Sequence, residues 1–218
     1  MKSWIFLFSF LLLCASCKQE SLKYDSPLER LMAGNKRFMG GHPVHPDETL
    51  QRIRDLKKGQ DPFAIVVGCA DSRVPPELIF DQGLGDIFSI RTAGNIIGDY
   101  ELGSIEYAVE HLGCKFIVVL GHENCGAIKA FIENPDTTNQ HDHIKNIIEY
   151  ISEENEENSL AEADKHQVDK AVKANISHGV HLLQNSQPVL KPLMDKKEVT
   201  VVGAYYDLDN GEVIITDK

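Results

Sequence analysis

The chain is expected to fold as an α/β domain with a central, mainly parallel β-sheet flanked by helices. Two stretches predict it. Ala64-Ile65-Val66-Val67-Gly68 and Phe116-Ile117-Val118-Val119-Leu120 are runs of five residues with no polar alternation. Runs of that kind mark strands buried on both faces, as in a parallel sheet between helical layers. Between them the apolar spacing changes to that of a helix, so strand, helix and strand alternate along the chain. Each run also ends in side chains that bind metals. Cys69-Ala70-Asp71-Ser72-Arg73 follows the first and Gly121-His122-Glu123-Asn124-Cys125 the second.

The chain begins with a targeting segment, residues 1–16. Lys2 is a short positive start, and Trp4 to Leu13 is apolar apart from Ser9. That run is too short to span a bilayer, which takes roughly 20 residues, but it suits a signal-peptide core. Ala15-Ser16 before Cys17 resembles a bacterial lipoprotein processing site, with Cys14 standing where leucine is usual. Cys17 would then be the lipidated first residue and residues 17–25 a tether. The chain would be an exported lipoprotein of the periplasm or cell envelope, held to the membrane by its lipid alone. An ordinary cleaved secretory peptide and an uncleaved anchor are the rival readings. Residues 26–218 form one domain.

Leu28, Leu31, Met32 and Phe38 have helical spacing between Pro27 and Met39, and Gly40-Gly41 ends that helix. His42 and His45 sit in a proline-containing loop. Thr49 to Lys58 is a second short amphipathic helix, with Leu50, Ile53 and Leu56 on one face. After the first buried strand, Pro75-Pro76-Glu77 opens a short helix, proline being tolerated in a first turn. Ile87 to Arg91 is a strand. Tyr100 to His111 is a helix stopped by Gly113. After the second buried strand, Asn124 to Ile132 starts a helix with Cys125 in its first turn, where the backbone dipole favours a thiolate. Glu133 to Gln167 is polar and acidic and reads as a solvated face or loop; His141-Asp142-His143 within it is an idle cluster. Val168 to Leu183 restores the helical period. Val199 to Tyr206 and Val213 to Ile215 are strands around the hairpin signal Asp209-Asn210-Gly211.

Composition narrows the function. The net charge is −11 with no basic cluster, which argues against a nucleic-acid partner. Of five cysteines, Cys14 would be removed and Cys17 acylated, leaving Cys69, Cys114 and Cys125. Cys114 precedes a strand and reads as a packed free thiol. If the two buried strands are parallel neighbours, their carboxyl ends open on one edge of the sheet. Cys69, His122 and Cys125 would then converge. Two thiolates and an imidazole suit Zn2+, and three protein ligands leave its fourth position open. Asp71 and Arg73 are two apart, so the guanidinium can clamp the carboxylate and keep it ionised. An idle surface ion pair is the alternative, worth about 0–1 kcal/mol.

These residues resemble the β-class carbonic anhydrases. Cys69-x-Asp71-x-Arg73 and His122-x-x-Cys125 match that family's zinc and dyad motifs. The likeness extends through Arg73-Val74-Pro75-Pro76-Glu77, Arg91-Thr92-Ala93-Gly94-Asn95 and Cys125-Gly126, and covers residues 34–211. It implies reversible hydration of carbon dioxide to bicarbonate and a proton by zinc-bound hydroxide. Asp71, held by Arg73, would orient that hydroxide, or in a closed state would itself be a fourth zinc ligand. The resemblance further implies that Gln60 hydrogen-bonds bicarbonate, that Phe88, Ala93 and Tyr107 line an apolar pocket, and that Gly126 offers a backbone amide. It also implies N-terminal helices reaching to a partner in a homodimer or a dimer of dimers. Val66 stands where a bicarbonate-regulated subgroup carries tryptophan.

Three other readings compete. The same site could hydrolyse carbonyl sulfide or carbon disulfide. The chain could bind zinc or bicarbonate without turnover, although a mere zinc holder needs no Asp71–Arg73 pair. A cysteine nucleophile with His122 as base would leave Cys69 without a role. Two thiolates make zinc a weaker Lewis acid than imidazoles would, so activity should rise toward mildly alkaline pH.

Overall fold

The structure, a computed structural model, describes residues 23–133, 142–154, 156 and 167–217. Among them, five strands form one sheet in the order β2-β1-β3-β4-β5. These are β1 (Ala64–Cys69), β2 (Ile87–Thr92), β3 (Phe116–His122), β4 (Thr200–Tyr206) and β5 (Val213–Asp217). The first four run parallel, and β5 closes one side antiparallel to β4. Every residue of β1 and β3 is buried, as their uninterrupted apolar runs require. Val66, Val67, Ile117 and Val119 are fully enclosed, each burial contributing about 2 kcal/mol. The Asp209-Asn210-Gly211 turn joins β4 to β5 as expected, with Gly211 at φ 80°.

The helices are α1 (Pro27–Met39), α2 (Leu50–Leu56), α3 (Pro76–Ile79), α4 (Asp99–His111), α5 (Gly126–Glu133), α6 (Ile144–Ser152), α7 (Val168–Asn185) and α8 (Leu190–Asp195). α7 lies against β3 and β4. Gly121 on β3 and Gly203 on β4 form a notch for Ile176; a Cβ on either would come within 2.7 Å of that side chain. Small residues there let the helix approach the sheet, and the close packing fixes the end of β3 where His122 sits.

Three sequence expectations need correction. The segment from Glu133 to Gln167 contains α6, whose Ile148 and Ile151 are buried. Ile144, Ile147, Ile148 and Ile151 carried that helical period, but the surrounding acidic residues masked it. α8 went unpredicted in the same way: Leu190, Leu193 and Met194 have helical spacing over only six residues. Finally, α5 starts at Gly126 rather than at Asn124, because Asn124 takes φ 53° and breaks the helical path. Cys125 therefore precedes the helix, and its carbonyl accepts the first helical bond, from Lys129 N. His141 and residues 1–22, with Cys17, lie outside the described residues.

α1 is started by Ser26, whose hydroxyl accepts from Glu29 N at 3.1 Å, with Pro27 in the first turn. Its buried Asn35 ties it to its own chain. The amide nitrogen donates to Ile79 O at 3.2 Å and Gly211 O at 2.8 Å, and the amide oxygen accepts from Val213 N at 3.0 Å. α2 differs, burying none of its residues and leaving Leu50 and Ile53 outward.

A second anchor is Asp81, which is buried. It accepts from Val44 N, His45 N and Arg37 Nε. Burial resists its ionisation, but those donors outweigh it and hold the carboxyl below its ordinary value. Its folded-state pKa is thus lower than the unfolded one. Its stabilising contribution is complete above the ordinary carboxylate range and fades as pH falls through the folded value. Asp81→Asn is expected to lower the unfolding free energy at neutral pH by about 2 kcal/mol, and to flatten the loss of stability below about pH 4. Urea midpoints measured across that range test this; parallel acid limbs for the two proteins would refute it.

Candidate metal centre

The strand register builds the site. Gly68 on β1 pairs with Leu120 on β3, so the two strands end side by side in Cys69 and His122. The turn after β3 then brings back Cys125. Their sulfurs and a ring nitrogen of His122 all lie within 4.8 Å of one another, and all three residues are buried. His122 Nδ1 is 2.8 Å from Glu123 O. A carbonyl can only accept, so Nδ1 carries the proton and Nε2 keeps its lone pair. That Nε2 is buried and has no hydrogen-bond partner. A buried polar atom left without a partner is rare, and two thiols with one free imidazole nitrogen form a donor set suited to zinc.

Hydrogen bonds prepare Cys69 as a thiolate. The N–H groups of Asp71 and Gly94 both donate to its sulfur, each at 3.4 Å. Its pKa is lowered to about 4, first by the Cys125 thiol donating to it and then, against the opposing effect of burial, by the neighbouring His122 ring and those two amides. Cys125 is pushed up, by the neighbouring Cys69 and by burial. The two sulfurs thus share one proton. Gly94 is at φ 73°, and Asn175 from α7 holds its carbonyl at 2.8 Å.

Asp71 sits at the rim, with Oδ2 3.9 Å from His122 Nε2. Arg73 grips it by three bonds: backbone N and Nε to Oδ1, each 2.9 Å, and Nη2 to Oδ2, 2.7 Å. The guanidinium holds the carboxyl well below the usual carboxylate range. Arg73 thus engages both carboxylate oxygens.

The remaining expected pocket residues divide into two groups. Ala93 is adjacent to Gly94, and Gly126 adjoins Cys125 at the exposed start of α5. Gln60, Phe88 and Tyr107 are not brought to this cluster within one chain. Phe88 pairs with Ile65, four residues before Cys69, which is about 13 Å along the strand. It packs on Tyr107 with ring centroids 6.4 Å apart, and Tyr107 packs on His111 at 5.3 Å. Gln60 lines a charged cleft with Arg30, Arg52 and Asp86, at the opposite end of β1. The order along the chain already sets Gln60 before β1 and Phe88 near the start of β2, far from Cys69 at the end of β1; the resemblance grouped them without regard to that distance. Sequence reasoning also missed Arg91, Gly94 and Asn175 as neighbours of Cys69. Arg91 and Gly94 belong to a recognisable motif, but a motif does not say which atoms they contact. Asn175 carried no signal.

Among the described residues a second group, Glu123, Asp207 and Asp209, has carboxylates within 4.8 Å of one another. Glu123 accepts from Leu208 N, and Asp207 from Asp209 N and Asn210 N, so two of the three serve the turn between β4 and β5.

Known proteins resemble this chain in sequence and in fold. Residues 64–213 match the family model described as carbonic anhydrase. Carbonic anhydrase 2 of Mycobacterium tuberculosis is 37% identical over 191 residues, covering 86% of this chain and 90% of the relative. The carbonic anhydrase of Mycolicibacterium smegmatis is 38% identical over 187 residues, covering 84% and 88%. Among solved structures, the β-carbonic anhydrase CcaA superposes with a TM-score of 0.68 at 28% identity, covering 87% of each chain. The Coccomyxa β-carbonic anhydrase gives 0.67 at 26% identity, covering 88% of this chain and 86% of that one. The chain belongs to the carbonic anhydrase family and has the fold of its β class.

Proposed function

We propose that this carbonic anhydrase hydrates carbon dioxide reversibly at a zinc site formed by Cys69, His122 and Cys125, with Asp71 and Arg73 as the orienting pair. The observation that carries it is the orphaned His122 Nε2, buried between two thiols and beside a clamped carboxylate. Zinc bound there would supply a Lewis acid that makes a coordinated water acidic near neutral pH.

The chain's own residues do the rest. Glu123 O keeps the imidazole in the tautomer that offers Nε2. The amides of Asp71 and Gly94 share the charge on Cys69. Asp71, kept ionised by Arg73, would accept a hydrogen bond from an oxygen bound beside His122 and so aim that oxygen's lone pair at the carbon of the substrate. Arg73 prevents that carboxylate from swinging away. A Cβ at Gly126 would meet nothing within 4 Å, which leaves open space beside Cys125 for a small substrate.

Zinc analysis and a stopped-flow hydration assay on the mature chain test this together. One zinc per chain with activity rising from about pH 6 to 9 is expected. Zinc without hydration would leave a metal-binding protein, and an active chain free of zinc would remove the site.

The assembly is read as a homodimer or a dimer of dimers. Among the described residues β2 is paired on one side only, and an open edge invites a partner. α2 turns Leu50 and Ile53 outward. Gln60, Phe88 and Tyr107 lie away from their own chain's cluster, so any part they take in a pocket is in a neighbouring subunit. Light scattering that finds a fully active monomer would exclude this reading.

The amino-terminal segment is read as a lipoprotein signal, with Cys17 acylated after removal of residues 1–16. Among the described residues, no helix is long and apolar enough to cross a membrane. Incorporation of a palmitate analogue into the wild type but not into Cys17→Ala is expected; an unlabelled wild type would remove the anchor.

A further inference from the structure

Arg91 stands at the carboxyl end of β2, and its side chain crosses to the loop that leaves β1. Its Nε donates to Cys69 O at 2.9 Å and its Nη2 to Asp71 O at 2.6 Å. The first carbonyl belongs to the peptide joining Cys69 to Ala70. That same peptide's N–H, on Ala70, donates to Thr92 O at 2.9 Å, so it is held at both ends. The second carbonyl belongs to the peptide joining Asp71 to Ser72. Between the two lies the peptide whose N–H, on Asp71, points at Cys69 Sγ. One guanidinium therefore locks a peptide by pinning its neighbours on either side.

Cys69 is the last residue of β1 and pairs with Thr92, and beyond it the chain turns away from the ladder, so the Cys69 and Asp71 carbonyls take their donors from a side chain. A planar fork of N–H groups can satisfy two carbonyls at a fixed separation; a lysine ammonium is a point donor on a flexible stem. Arg91 is exposed, so its truncation removes little packing. Arg73 fixes the Asp71 carboxylate, whereas Arg91 fixes the backbone that carries it.

We propose that Arg91 is a positioning residue, setting the distance and orientation between the Cys69 sulfur and the Asp71 carboxylate. The proposal rests on the assignment of Cys69 as zinc ligand and Asp71 as orienting group. Without the clamp, the segment can rotate, Cys69 loses the Asp71 amide, and the carboxylate no longer faces His122 at one fixed distance.

The test compares wild type, Arg91→Lys and Arg91→Ala by three measurements: zinc affinity by competition with a chelating dye, kcat and KM for hydration per zinc-loaded chain, and Tm. Arg91→Ala should weaken zinc binding and lower kcat, each about 10-fold or more, with KM changed less than about 2-fold. Arg91→Lys should lie nearer to Arg91→Ala than to wild type, since it cannot bridge both carbonyls. Added methylguanidinium should restore part of kcat in Arg91→Ala and none in Arg91→Lys. A purely structural role predicts the opposite: Tm falls while zinc affinity and kcat per loaded chain stay within about 2-fold of wild type. That result overturns the proposal, and Arg91→Lys delivers it even if Arg91→Ala fails to fold. A wild type lacking zinc or hydration activity would overturn the underlying assignment, and this role with it. A normal wild type with unchanged Arg91 variants overturns only the role of Arg91.

Discussion

Cys69→Ser is expected to abolish zinc binding and to lower kcat/KM by at least about 10³-fold, because water without the metal is far less acidic. The hydroxyl replaces the one group in the cluster that is already prepared as an anion. Cys69 is lowered to about 4 by the Cys125 thiol, aided by His122 and two amides, and a serine in the same place stays protonated. It offers zinc a neutral oxygen in place of a thiolate. The fold should survive, since β1 is held by β2 and β3 on either side and by an apolar core that serine at its last position leaves intact. Metal analysis, hydration rates and far-ultraviolet circular dichroism on the same preparation separate loss of metal from loss of structure. A folded Cys69→Ser chain retaining stoichiometric zinc and full activity would show that Cys69 is not a ligand.

Asp71→Asn is expected to behave differently, keeping its zinc but losing about 10²-fold in kcat. The amide is nearly isosteric, so the loop has no reason to move. Its charge is gone, however, and one of the two atoms facing Arg73 becomes a donor. The three bonds that hold Asp71 at 2.7–2.9 Å depend on two accepting oxygens. With the amide, Arg73 loses at least one of them, and the side chain is free to turn its NH2 group toward the cluster. A donor there opposes the hydrogen bond that the carboxylate would accept. The decisive comparison is zinc per chain against kcat per chain. Zinc retained with kcat within about 2-fold of wild type would leave the Asp71–Arg73 pair as an idle ion pair worth about 0–1 kcal/mol.

These two outcomes share a physical basis. The ligands sit on buried strand ends whose register is set by the core, whereas Asp71 sits on the loop beyond, held by arginines. Ligand loss removes the ion; loss of the orienting charge leaves the ion in a site that no longer directs it. Arg91 lies between the two cases, touching only the backbone that joins them.

Much of this was legible in the residues alone. Two unbroken apolar runs required doubly buried strands, and a buried parallel pair required their carboxyl ends to share an edge. Cys69, His122 and Cys125 were readable as a cluster because strand periodicity and helical connections are local properties of the chain. α6 and α8 were not read, because acidic flanks hid one and its brevity hid the other. The start of α5 also escaped, since the left-handed conformation of Asn124 is chosen by the turn that returns Cys125 to the cluster.

What tertiary structure alone decided is which atoms meet. Spacing along the chain cannot show that Tyr107, on α4, packs on Phe88 of β2. Nor can it show that Arg91 reaches two carbonyls on a neighbouring loop, or that Asn175, far along the chain, holds the glycine whose amide faces Cys69. The sequence by itself determined the donor types and the edge of the sheet on which they gather, because these follow from local pattern and burial. Local hydrogen bonds, from His122 Nδ1 to Glu123 O and from Arg73 to Asp71, set the tautomer and the aim of the carboxylate, whereas bonds between distant segments, from Cys125 and the Gly94 amide to Cys69, set the charge on that sulfur. The latter exist only once the sheet has brought the segments together.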